Sequence, residues 1–477
     1  MKKYILTSLV AMLFVGCQTA DDVNSDPHAT YETTPEALIT YAQKELSDYM
    51  TTPSVNENNF RLTMQYWQET IYVNESNYDF TNRNVSNNVW IDNYVNVLKN
   101  LDQAKRIINA YVPTFQEAAT WPGIKQNQLA VIDIMQVYTF QILVDTYGDI
   151  PYTQALDIDK YPLPKYDKAS DIYTSLIDRL KTDITNLSED SDAFGSGDVF
   201  YKGDISKWEK FGNSLLLKLG MSLADVNPTL AQATVNQAIS GGVMNASGDD
   251  CKFQYLDSSP NENPVYQEVT SRNDFIAGKT LVDYMKSTND TRISVYYRGP
   301  IGGQYIGQII GAPGAFGSFS KPGTFTRDAT TPGILLSYTE VAFYLAEAAA
   351  RWGIGGSPSA LYTTAVTSSF SDWGKDADAA AYLAAHPYDA SNWKKSIGEQ
   401  AWVAMYNQAV TSWNFYRRLD YPQLVAPTTA IPNAGGKVPV RLQYPPAEAT
   451  TNGSNSAAAS AAIGGDKLTT KIFWDVN

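Results

Sequence analysis

The residues that most often carry out enzymatic chemistry are sparse in this chain and poorly grouped. The 477 residues include two histidines, His28 and His386, and neither has a second histidine or a cysteine at the spacing of a metal site. A catalytic triad built on histidine lacks its partners for the same reason. No GxxxxGK[ST] sequence is present, and the Gly195-Ser196-Gly197 triplet lacks the third glycine and the preceding strand of a dinucleotide fingerprint. We therefore expect no enzyme activity and no cofactor.

Carboxylates leave one catalytic alternative open. A glycosidase needs two Asp or Glu side chains on either side of a sugar bond, and counting acids does not exclude such a pair. Glu340 and Glu347 lie two turns apart on one predicted helix, where structural roles are more common. The acidic stretch 190–198 loosely resembles a calcium loop but lacks its third early acid and its closing glutamate. A surface glycoside hydrolase is therefore kept as a minor alternative, and no metal site is predicted.

The overall charge limits the classes of partner. A formal net charge of -14 and a pI near 4.7 make nucleic acid and anionic lipid poor partners. Charged residues are only 18% of the chain, whereas 31 tyrosines and 10 tryptophans are present. Most of these rings are needed for a core, and we expect some of the others to face solvent or a ligand.

The first residues have the features of a bacterial export signal. A pair of lysines precedes the apolar stretch from Tyr4 to Val15, which is too short to span a bilayer. The sequence LFVGC at residues 13–17 resembles the lipobox of bacterial lipoproteins. We predict that residues 1–16 are a signal peptide and that Cys17 is acylated, which leaves Cys251 without a disulfide partner. The alternative is an ordinary signal peptide that ends by chance in a cysteine.

The remaining chain divides into a tether and one domain. Residues 17–34 are predicted to form the lipidated N-terminus and a polar tether, and residues 35–477 a single helical domain. The short acidic run from Gln18 to Asp22 looks like the surface-export signal of Bacteroidota lipoproteins. Several acyl chains on one cysteine would anchor the protein stably to a membrane.

Hydrophobic periodicity predicts a mainly α-helical domain. Apolar residues recur every three or four positions, and the helical segments follow one another as pairs typical of tetratricopeptide-like stacking, without a regular repeat period. Helices are predicted over Phe60 to Tyr72 and, as one long element, over Trp393 to Tyr416. Asp167 is predicted to cap a helix that ends near Leu187. Residues 241–275 and 294–332 are predicted to be largely irregular.

One predicted helix, from Leu129 to Tyr147, is apolar on nearly all sides. A helix with so little polar surface is normally buried. Gly148 is suited to the positive φ at which many helices end, and Pro151 forces Ile150 out of the helical region. We therefore expect a buried helix that ends at Tyr147 and leaves through extended chain.

The exit of this helix carries a family resemblance. Tyr147 to Tyr152 (YGDIPY), followed by Gln154-Ala155, resembles the YGDxPYxEA motif of the SusD/RagB family, with Gln154 where glutamate is common. One departure is Asn289 to Arg292, where the family usually has Asp-Pro-Arg. Other segments agree with the family in order: 203–215, 338–348, 397–422, 441–452 and 473–475. The sequence is most similar to the SusD-like subgroup.

The resemblance implies a SusD-like fold, in which tetratricopeptide-like helix pairs pack with a loop-rich irregular region. It also implies a lipoprotein of the outer membrane that faces the cell exterior. Such a protein binds glycan or oligosaccharide and acts as the lid of a SusC-type TonB-dependent transporter. Peptide binding, as in RagB-like proteins, is the alternative ligand class.

Some prominent side chains are expected to be structural. Trp208, Phe211, Trp402 and Trp413 recur at helical spacing among apolar residues, which favours a place in the core. The Arg417-Arg418 pair is expected to contact buried carboxylates.

Two segments have the composition of a sugar site. Sugar binding without catalysis needs flat aromatic faces edged by polar groups, on loops held by a rigid scaffold. Gln68 to Asn84 (loop A) and Tyr296 to Phe325 (loop B) meet this description. The candidate ligand-binding residues are Tyr72, Asn74, Tyr78, Asp79 and Arg83 in loop A, and Tyr296, Tyr297, Arg298, Gln304, Tyr305 and Phe316 in loop B. In the alternative, the loop A tyrosines pack that loop onto helices and residues 299–317 are a mobile surface or a transporter contact.

Overall fold

The computed structural model describes residues 33–476. The signal peptide, Cys17, His28 and nearly all of the predicted tether lie outside the described residues. Within them, α-helices dominate, and the strands are two to four residues long.

The helices follow one another along most of the chain. The first nine are α1 (Pro35–Thr51), α2 (Phe60–Thr63), α3 (Val85–Ile91), α4 (Lys99–Ala110), α5 (Trp121–Tyr147), α6 (Ala169–Asn186), α7 (Ile205–Ser222), α8 (Pro228–Gly241) and α9 (Pro264–Ser271). The others are α10 (Lys279–Ser287), α11 (Ile293–Tyr296), α12 (Tyr338–Trp352), α13 (Pro358–Ser371), α14 (Asp376–Ala385), α15 (Trp393–Ala404), α16 (Ala409–Leu419), α17 (Glu448–Thr451) and α18 (Gly453–Ala462). A π-helical segment, Asp92–Leu98, joins α3 to α4.

The strands form four two-stranded antiparallel ribbons. They pair β1 (Trp67–Glu69) with β5 (Phe275–Ala277), β2 (Ile150–Pro151) with β3 (Tyr166–Asp167), β4 (Cys251–Phe253) with β8 (Gly333–Leu336), and β6 (Tyr297–Arg298) with β7 (Lys321–Pro322). The β1–β5 and β4–β8 ribbons join segments that are far apart in sequence, and the β6–β7 ribbon lies in the irregular segment 294–332.

Consecutive helices pack against each other as hairpins. The pairs α5–α6, α7–α8, α12–α13 and α15–α16 are in contact, and α5 also packs on α4 and α7. Together with the loop-rich segments around β5 to β7, this arrangement confirms the predicted mainly α fold with tetratricopeptide-like helix pairs.

Helix α5 confirms the buried helix predicted from composition. Nearly every side chain from Asn127 to Tyr147 is buried. The helix ends at Gly148, whose φ of +86° favours glycine. In the described part of the chain, α5 is long and apolar enough to cross a membrane, yet it lies inside the protein and is therefore a core helix.

The two acids that flank α6 act differently from the prediction. Asp149, in the YGDIPY motif, accepts a 2.8 Å hydrogen bond from the amide of Ala169, the first residue of α6. Asp167 instead accepts a 2.7 Å hydrogen bond from the amide of Thr153. The prediction that Asp167 caps α6 is therefore wrong, because β2–β3 pairing turns its carboxylate toward the preceding loop.

Two predicted helices are shorter than expected. The segment from Phe60 to Tyr72 is helical only as far as Thr63, because Trp67–Glu69 pairs with β5. The segment from Trp393 to Tyr416 is broken by a turn at Met405–Gln408. That turn places Tyr406 in the core, where its hydroxyl donates a 2.8 Å hydrogen bond to the carbonyl of Tyr296. In both cases tertiary contacts override local periodicity.

The region predicted to be irregular before residue 275 contains α9 and β4, so this prediction is wrong in part. The neighbouring prediction for 294–332 agrees better, since that segment holds the end of α11, short strands and 3-10 turns.

The predicted core residues are buried. Trp208, Phe211, Trp402 and Trp413 are at most 2% exposed. The two acids on the predicted helix, Glu340 and Glu347, are also buried.

Arg417 and Arg418 were expected to contact buried carboxylates, and both side chains are buried. Arg418 forms an ion pair with Glu347, which also binds Arg351 at 2.8 Å. Arg417 donates to backbone carbonyls, including that of Asp145 at 2.6 Å, rather than to a carboxylate. The pairing prediction is therefore confirmed for Arg418 only.

Candidate functional site

Strand β5 is the scaffold on which both predicted ligand loops are built. On one side it pairs with β1, at the start of loop A. On the other side, the amide of Gln308 in loop B donates a 2.9 Å hydrogen bond to the carbonyl of Ala277. The amide of Ala277 donates in turn to the carbonyl of Ser320 at 2.8 Å. Loops A and B are therefore fixed to opposite edges of one buried strand.

Beyond β5 the two loops touch each other directly. The amide of Gly314 donates a 2.7 Å hydrogen bond to the carbonyl of Thr70. The Asn77 side chain donates at 2.9 Å to the carbonyl of Gly311, whose amide donates at 2.8 Å to Gln68 Oε1. The structure thus brings together two loops that lie more than two hundred residues apart in sequence.

Gly311 makes the closest approach at this junction. Its φ is +81°, and a Cβ there would lie 2.5 Å from Asn77 Oδ1 and 2.7 Å from Thr429 Oγ1. Only glycine fits both the backbone conformation and the space. The segment that carries Thr429 is thereby held against both loops.

We use the term loop face for the exposed surface formed by loop A, loop B and the chain around Val425. Four apolar side chains project from it: Ile71, Tyr72, Ile309 and Val425 are 73%, 70%, 60% and 79% exposed. The exposed amide side chains of Asn74 and Gln304 belong to the same loops. Gln65 holds the third segment in place by donating to the carbonyl of Val425 at 2.7 Å. A projecting aromatic ring among apolar and amide groups suits a sugar ring, which has an apolar face and a rim of hydroxyls.

Three predicted ligand residues are buried, and the structure corrects their assignment. Tyr78, Tyr296 and Tyr297 are each 0% exposed. The Tyr296 ring stacks on Tyr406 with centroids 4.2 Å apart, and the Tyr297 hydroxyl donates to the carbonyl of Tyr66 at 2.8 Å. These rings hold the loops to the core and are not available to a ligand, because a large apolar ring gains more from burial than from exposure.

Two further loop A residues make contacts within the loop. Arg83 Nε donates a 2.8 Å hydrogen bond to Glu75, whose side chain is fully buried. The Asp79 carboxylate accepts a 3.2 Å hydrogen bond from the amide of Thr81. Both side chains are half-buried and shape the loop.

A buried acid pair lies beneath loop A. Glu69 Oε2 accepts 2.8 Å hydrogen bonds from both the amide and the hydroxyl of Ser76. Burial, together with a hydrogen bond to Glu75 and its charge, raises the pKa of Glu69 to about 8. Glu69 therefore holds its proton at neutral pH, and its hydrogen bonds to Ser76 join β1 to the middle of loop A.

The loop B candidates that remain are partly accessible. Arg298, Tyr305 and Phe316 are half-buried, and Gln304 is exposed. The Lys321 ammonium lies 5.2 Å from the centre of the Phe316 ring. With Tyr72 and Asn74, these residues are the predicted candidates that a ligand on the loop face could reach.

The structure also contains a recess that the sequence did not predict. A recess of about 1120 Å³ opens between the end of loop B, β4 and helix α13. Burial raises the pKa of one lining acid, Asp250, to about 6. The recess is also lined by the rings of Phe325 and Trp373, the carboxylate of Asp372, and the hydroxyls of Thr363, Thr364, Thr367 and Ser371. The signal in the sequence is the exposed side of α13, which carries hydroxyls and no charge.

Metal ligands are not gathered anywhere in the described segment 33–476, where no group of three or more His, Cys, Asp or Glu side chains could hold an ion. The acid of the 190–198 stretch that is buried, Asp198, accepts hydrogen bonds from Gln43 at 2.8 Å and Trp208 at 2.7 Å. It is occupied as a structural acceptor.

The structure is a mainly α protein in which the two candidate ligand loops are mounted on a stacked-helix scaffold. A family model described as "Starch-binding associating with outer membrane" matches residues 27–445. The chain belongs to this SusD-like family.

Solved structures agree with the family. A chitin-binding protein superposes with a TM-score of 0.80 at 28% identity, covering 93% of this chain and 100% of that one. A chitin-binding SusD homolog from Flavobacterium johnsoniae has a TM-score of 0.79 at 23% identity, covering 93% and 99%. A SusD-like protein from Bacteroides thetaiotaomicron has a TM-score of 0.77 at 23% identity with the same coverage. No curated protein matches the chain.

Proposed function

We propose that the protein captures oligosaccharide on the loop face and does not alter it chemically. The observation that carries this proposal is the junction of loops A and B, which presents Tyr72 at 70% exposure beside apolar and amide side chains. A solvent-exposed tyrosine on a braced loop loses little conformational freedom when it stacks on a sugar ring. The family description and the chitin-binding relatives favour a glycan over other ligands.

We further propose that the protein works at the outer membrane, held by acyl chains on Cys17 and facing the cell exterior. There it would act as the lid of a SusC-type TonB-dependent transporter and deliver bound glycan to the barrel. The lipobox-like sequence at residues 13–17 supports the anchor, and the family's association with the outer membrane supports the location.

Peptide capture, as in RagB-like proteins, is the second ligand class. One way in which a protein holds an extended peptide is through backbone hydrogen bonds to a free strand edge. Both edges of β5 are already bonded to β1 and to loop B, which favours the glycan.

A hydrolase would need two accessible carboxylates around the bound sugar. Glu69 and Glu75, the acids that lie closest together beneath loop A, are at most 4% exposed and are bonded to Ser76 and Arg83. We therefore propose binding without catalysis.

The test is a binding panel on the full chain. Affinity gels and calorimetry against malto- and chito-oligosaccharides and a set of short peptides should give binding to at least one oligosaccharide and none to the peptides. Peptide binding alone would transfer the assignment to the RagB-like class. Chromatography of the same mixtures after long incubation should show intact oligosaccharide, and shorter products would support the hydrolase.

The anchor has its own test. Cys17→Ala should move the protein from the membrane to the soluble fraction of cells, while Cys251→Ala should leave it with the membrane. Retention of Cys17→Ala in the membrane would contradict the lipoprotein proposal.

A further inference from the structure

Three cations lie close together at the base of loop B. Arg298 and Lys321 are directly opposite each other in the β6–β7 ribbon. Arg327 ends the 3-10 turn at Thr324–Arg327 that follows. Within residues 33–476 none of the three is ion-paired with a carboxylate. We call these residues the basic cluster.

The cluster is electrostatically unfavourable as it stands. Like charges directly opposite each other on paired strands are destabilising. Burial and the charge of Arg327 lower the pKa of Arg298, and burial and the charge of Arg298 lower the pKa of Lys321. Arg298 Nε is also a buried donor without an acceptor. Such a donor costs free energy until something accepts its hydrogen bond.

Most of the other arginines within residues 33–476 are ion-paired with a carboxylate, and Arg61 and Arg417 donate to backbone carbonyls instead. The buried Arg292 is paired with Asp290 at 2.6 Å, and Arg351 with Asp225 at 2.6 Å. The chain has 50 acids and 36 basic residues, so a carboxylate is the commoner neighbour. Because the three adjacent cations have no carboxylate partner among residues 33–476, a negatively charged group from outside the chain can pair with them.

The cluster borders the loop face. Lys321 lies over the Phe316 ring at 5.2 Å from its centre. Two residues before Phe316, Gly314 is bonded to Thr70 of loop A at 2.7 Å, and Tyr72 follows Thr70 by two residues. Arg298 and Lys321 therefore lie in the loop that is hydrogen-bonded to the loop carrying Tyr72.

We propose that the basic cluster binds the acidic group of an anionic glycan, either a uronic acid carboxylate or a sulfate ester. This inference rests on the proposed function and names its ligand class. A guanidinium binds carboxylate or sulfate oxygens through parallel N–H donors, and an ammonium adds a point charge. The Phe316 ring offers an apolar surface to the sugar that carries the group.

The experiment compares charged and neutral probes on the full chain. Calorimetry with oligogalacturonate, chondroitin sulfate oligosaccharide and neutral maltohexaose and chitohexaose should give the tightest binding to one of the two anionic probes. That affinity should fall as salt rises, because the contact is largely electrostatic. Arg298→Gln and Lys321→Gln should each weaken it at least tenfold, with little change for a neutral probe.

Matched controls separate the cluster from general charge. Lys279→Gln and Arg272→Gln remove exposed cations that are already paired, with Asp283 and Asp274, and should leave the anionic affinity unchanged. Because Arg298→Gln and Lys321→Gln relieve repulsion, their melting temperatures should equal or exceed that of the wild type. An effect on binding that came only from unfolding would show as a lowered melting temperature and would count against the inference.

The outcomes distinguish the two proposals. Neutral oligosaccharide binding that depends on Tyr72, with no preference for the anionic probes, would overturn this inference and keep the proposed function. Anionic binding that Arg298→Gln and Lys321→Gln leave intact would also overturn it. Loss of all glycan binding would overturn both. Equal competition by inorganic sulfate would reduce the cluster to a simple anion site and overturn its assignment to a glycan.

Discussion

The amide of Gly314 donates a 2.7 Å hydrogen bond to the carbonyl oxygen of Thr70, and this bond joins the two loops that carry the exposed residues of the loop face. Thr70 directly follows β1, while Gly314 lies in loop B, whose Gln308 is bonded to the neighbouring β5. The two loops are therefore braced through one strand as well as through each other. A disturbance of the junction should affect both loops together.

Gly311→Val tests this coupling. The new side chain would clash with Asn77 and Thr429 and would have to adopt a φ of +81°, so we expect a stability loss of about 1–3 kcal/mol and glycan affinity at least tenfold lower. Urea denaturation and calorimetry measure the two effects. Gly302→Ala is the control, because its φ of +57° carries backbone strain but no atom lies within 4 Å of the added Cβ. Equal losses of affinity in both variants would argue against a role for the junction.

Tyr72→Ala should weaken glycan binding without weakening the fold. The ring is 70% exposed, so its removal leaves no cavity. We expect an affinity loss of about tenfold, equivalent to about 1.4 kcal/mol. Tyr41→Ala, at a tyrosine that is 44% exposed on α1, is the matched control and should bind like the wild type. If Tyr72→Ala binds normally, the ligand does not stack on this ring.

Thr364→Arg tests the recess against the loop face. The substitution puts a long side chain into the recess from an exposed helical position. Thr185→Arg is closely matched, since both hydroxyls donate to the carbonyl four residues earlier, at 3.1 Å and 2.9 Å. We expect both variants to bind oligosaccharide like the wild type. A loss confined to Thr364→Arg would move the ligand site to the recess.

Loop A should be less stable at high pH. Glu69 keeps its proton in the folded protein to about pH 8, whereas its ordinary pKa is 4.5. The folded state therefore binds more protons than the unfolded state between these values, and its stability falls as pH rises through that window. Other buried acids also titrate, so the measured quantity is the difference between the wild type and Glu69→Gln.

Because glutamine imitates the protonated acid, Glu69→Gln should lose less stability than the wild type between about pH 5 and pH 8. Urea denaturation at several pH values gives the comparison. Hydrogen exchange at the Ser76 amide, which donates to Glu69 at 2.8 Å, should report the same change locally. Parallel pH profiles for the two proteins would contradict the assigned proton.

Glu347→Ala should destabilise the helical scaffold strongly. Glu347 is 0% exposed and neutralises both Arg351 and Arg418. Removing one partner of a buried pair leaves uncompensated charge, at a cost of about 3–5 kcal/mol. Glu189→Ala, at an exposed position, should change the free energy of unfolding by less than about 0.5 kcal/mol. A small loss for Glu347→Ala would mean that water or another acid reaches the two arginines.

The helical scaffold could largely be predicted from sequence because its signals are local. The apolar run ending at Tyr147, the glycine at 148 and the proline at 151 predict a buried helix and its end without any knowledge of the fold. Asp204, a residue type that favours the position before a helix, precedes α7, and its side chain accepts a 3.2 Å hydrogen bond from the amide of Lys207. The YGDIPY motif indicated the family, and the family match agrees.

The candidate site could be predicted in part. The composition of loops A and B predicted them as sugar-binding loops, but it does not show that they meet at Gly311 and Thr70. Nor does it tell which rings face outward, since Tyr72 and Tyr78 have the same side chain and are 70% and 0% exposed. The side of the loop that a ring occupies depends on the residues that pack against it from elsewhere in the chain.

The sequence by itself determined the buried helix α5 and its end at Gly148, since these depend on neighbours within a few positions. Only the tertiary structure decided that Trp67–Glu69 is a strand, because its partner β5 lies about two hundred residues away in the register Trp67↔Ala277. It also decided that Arg298 and Lys321 face each other, with no carboxylate of residues 33–476 paired to either. Long-range pairing brings these groups together, and no local pattern encodes it.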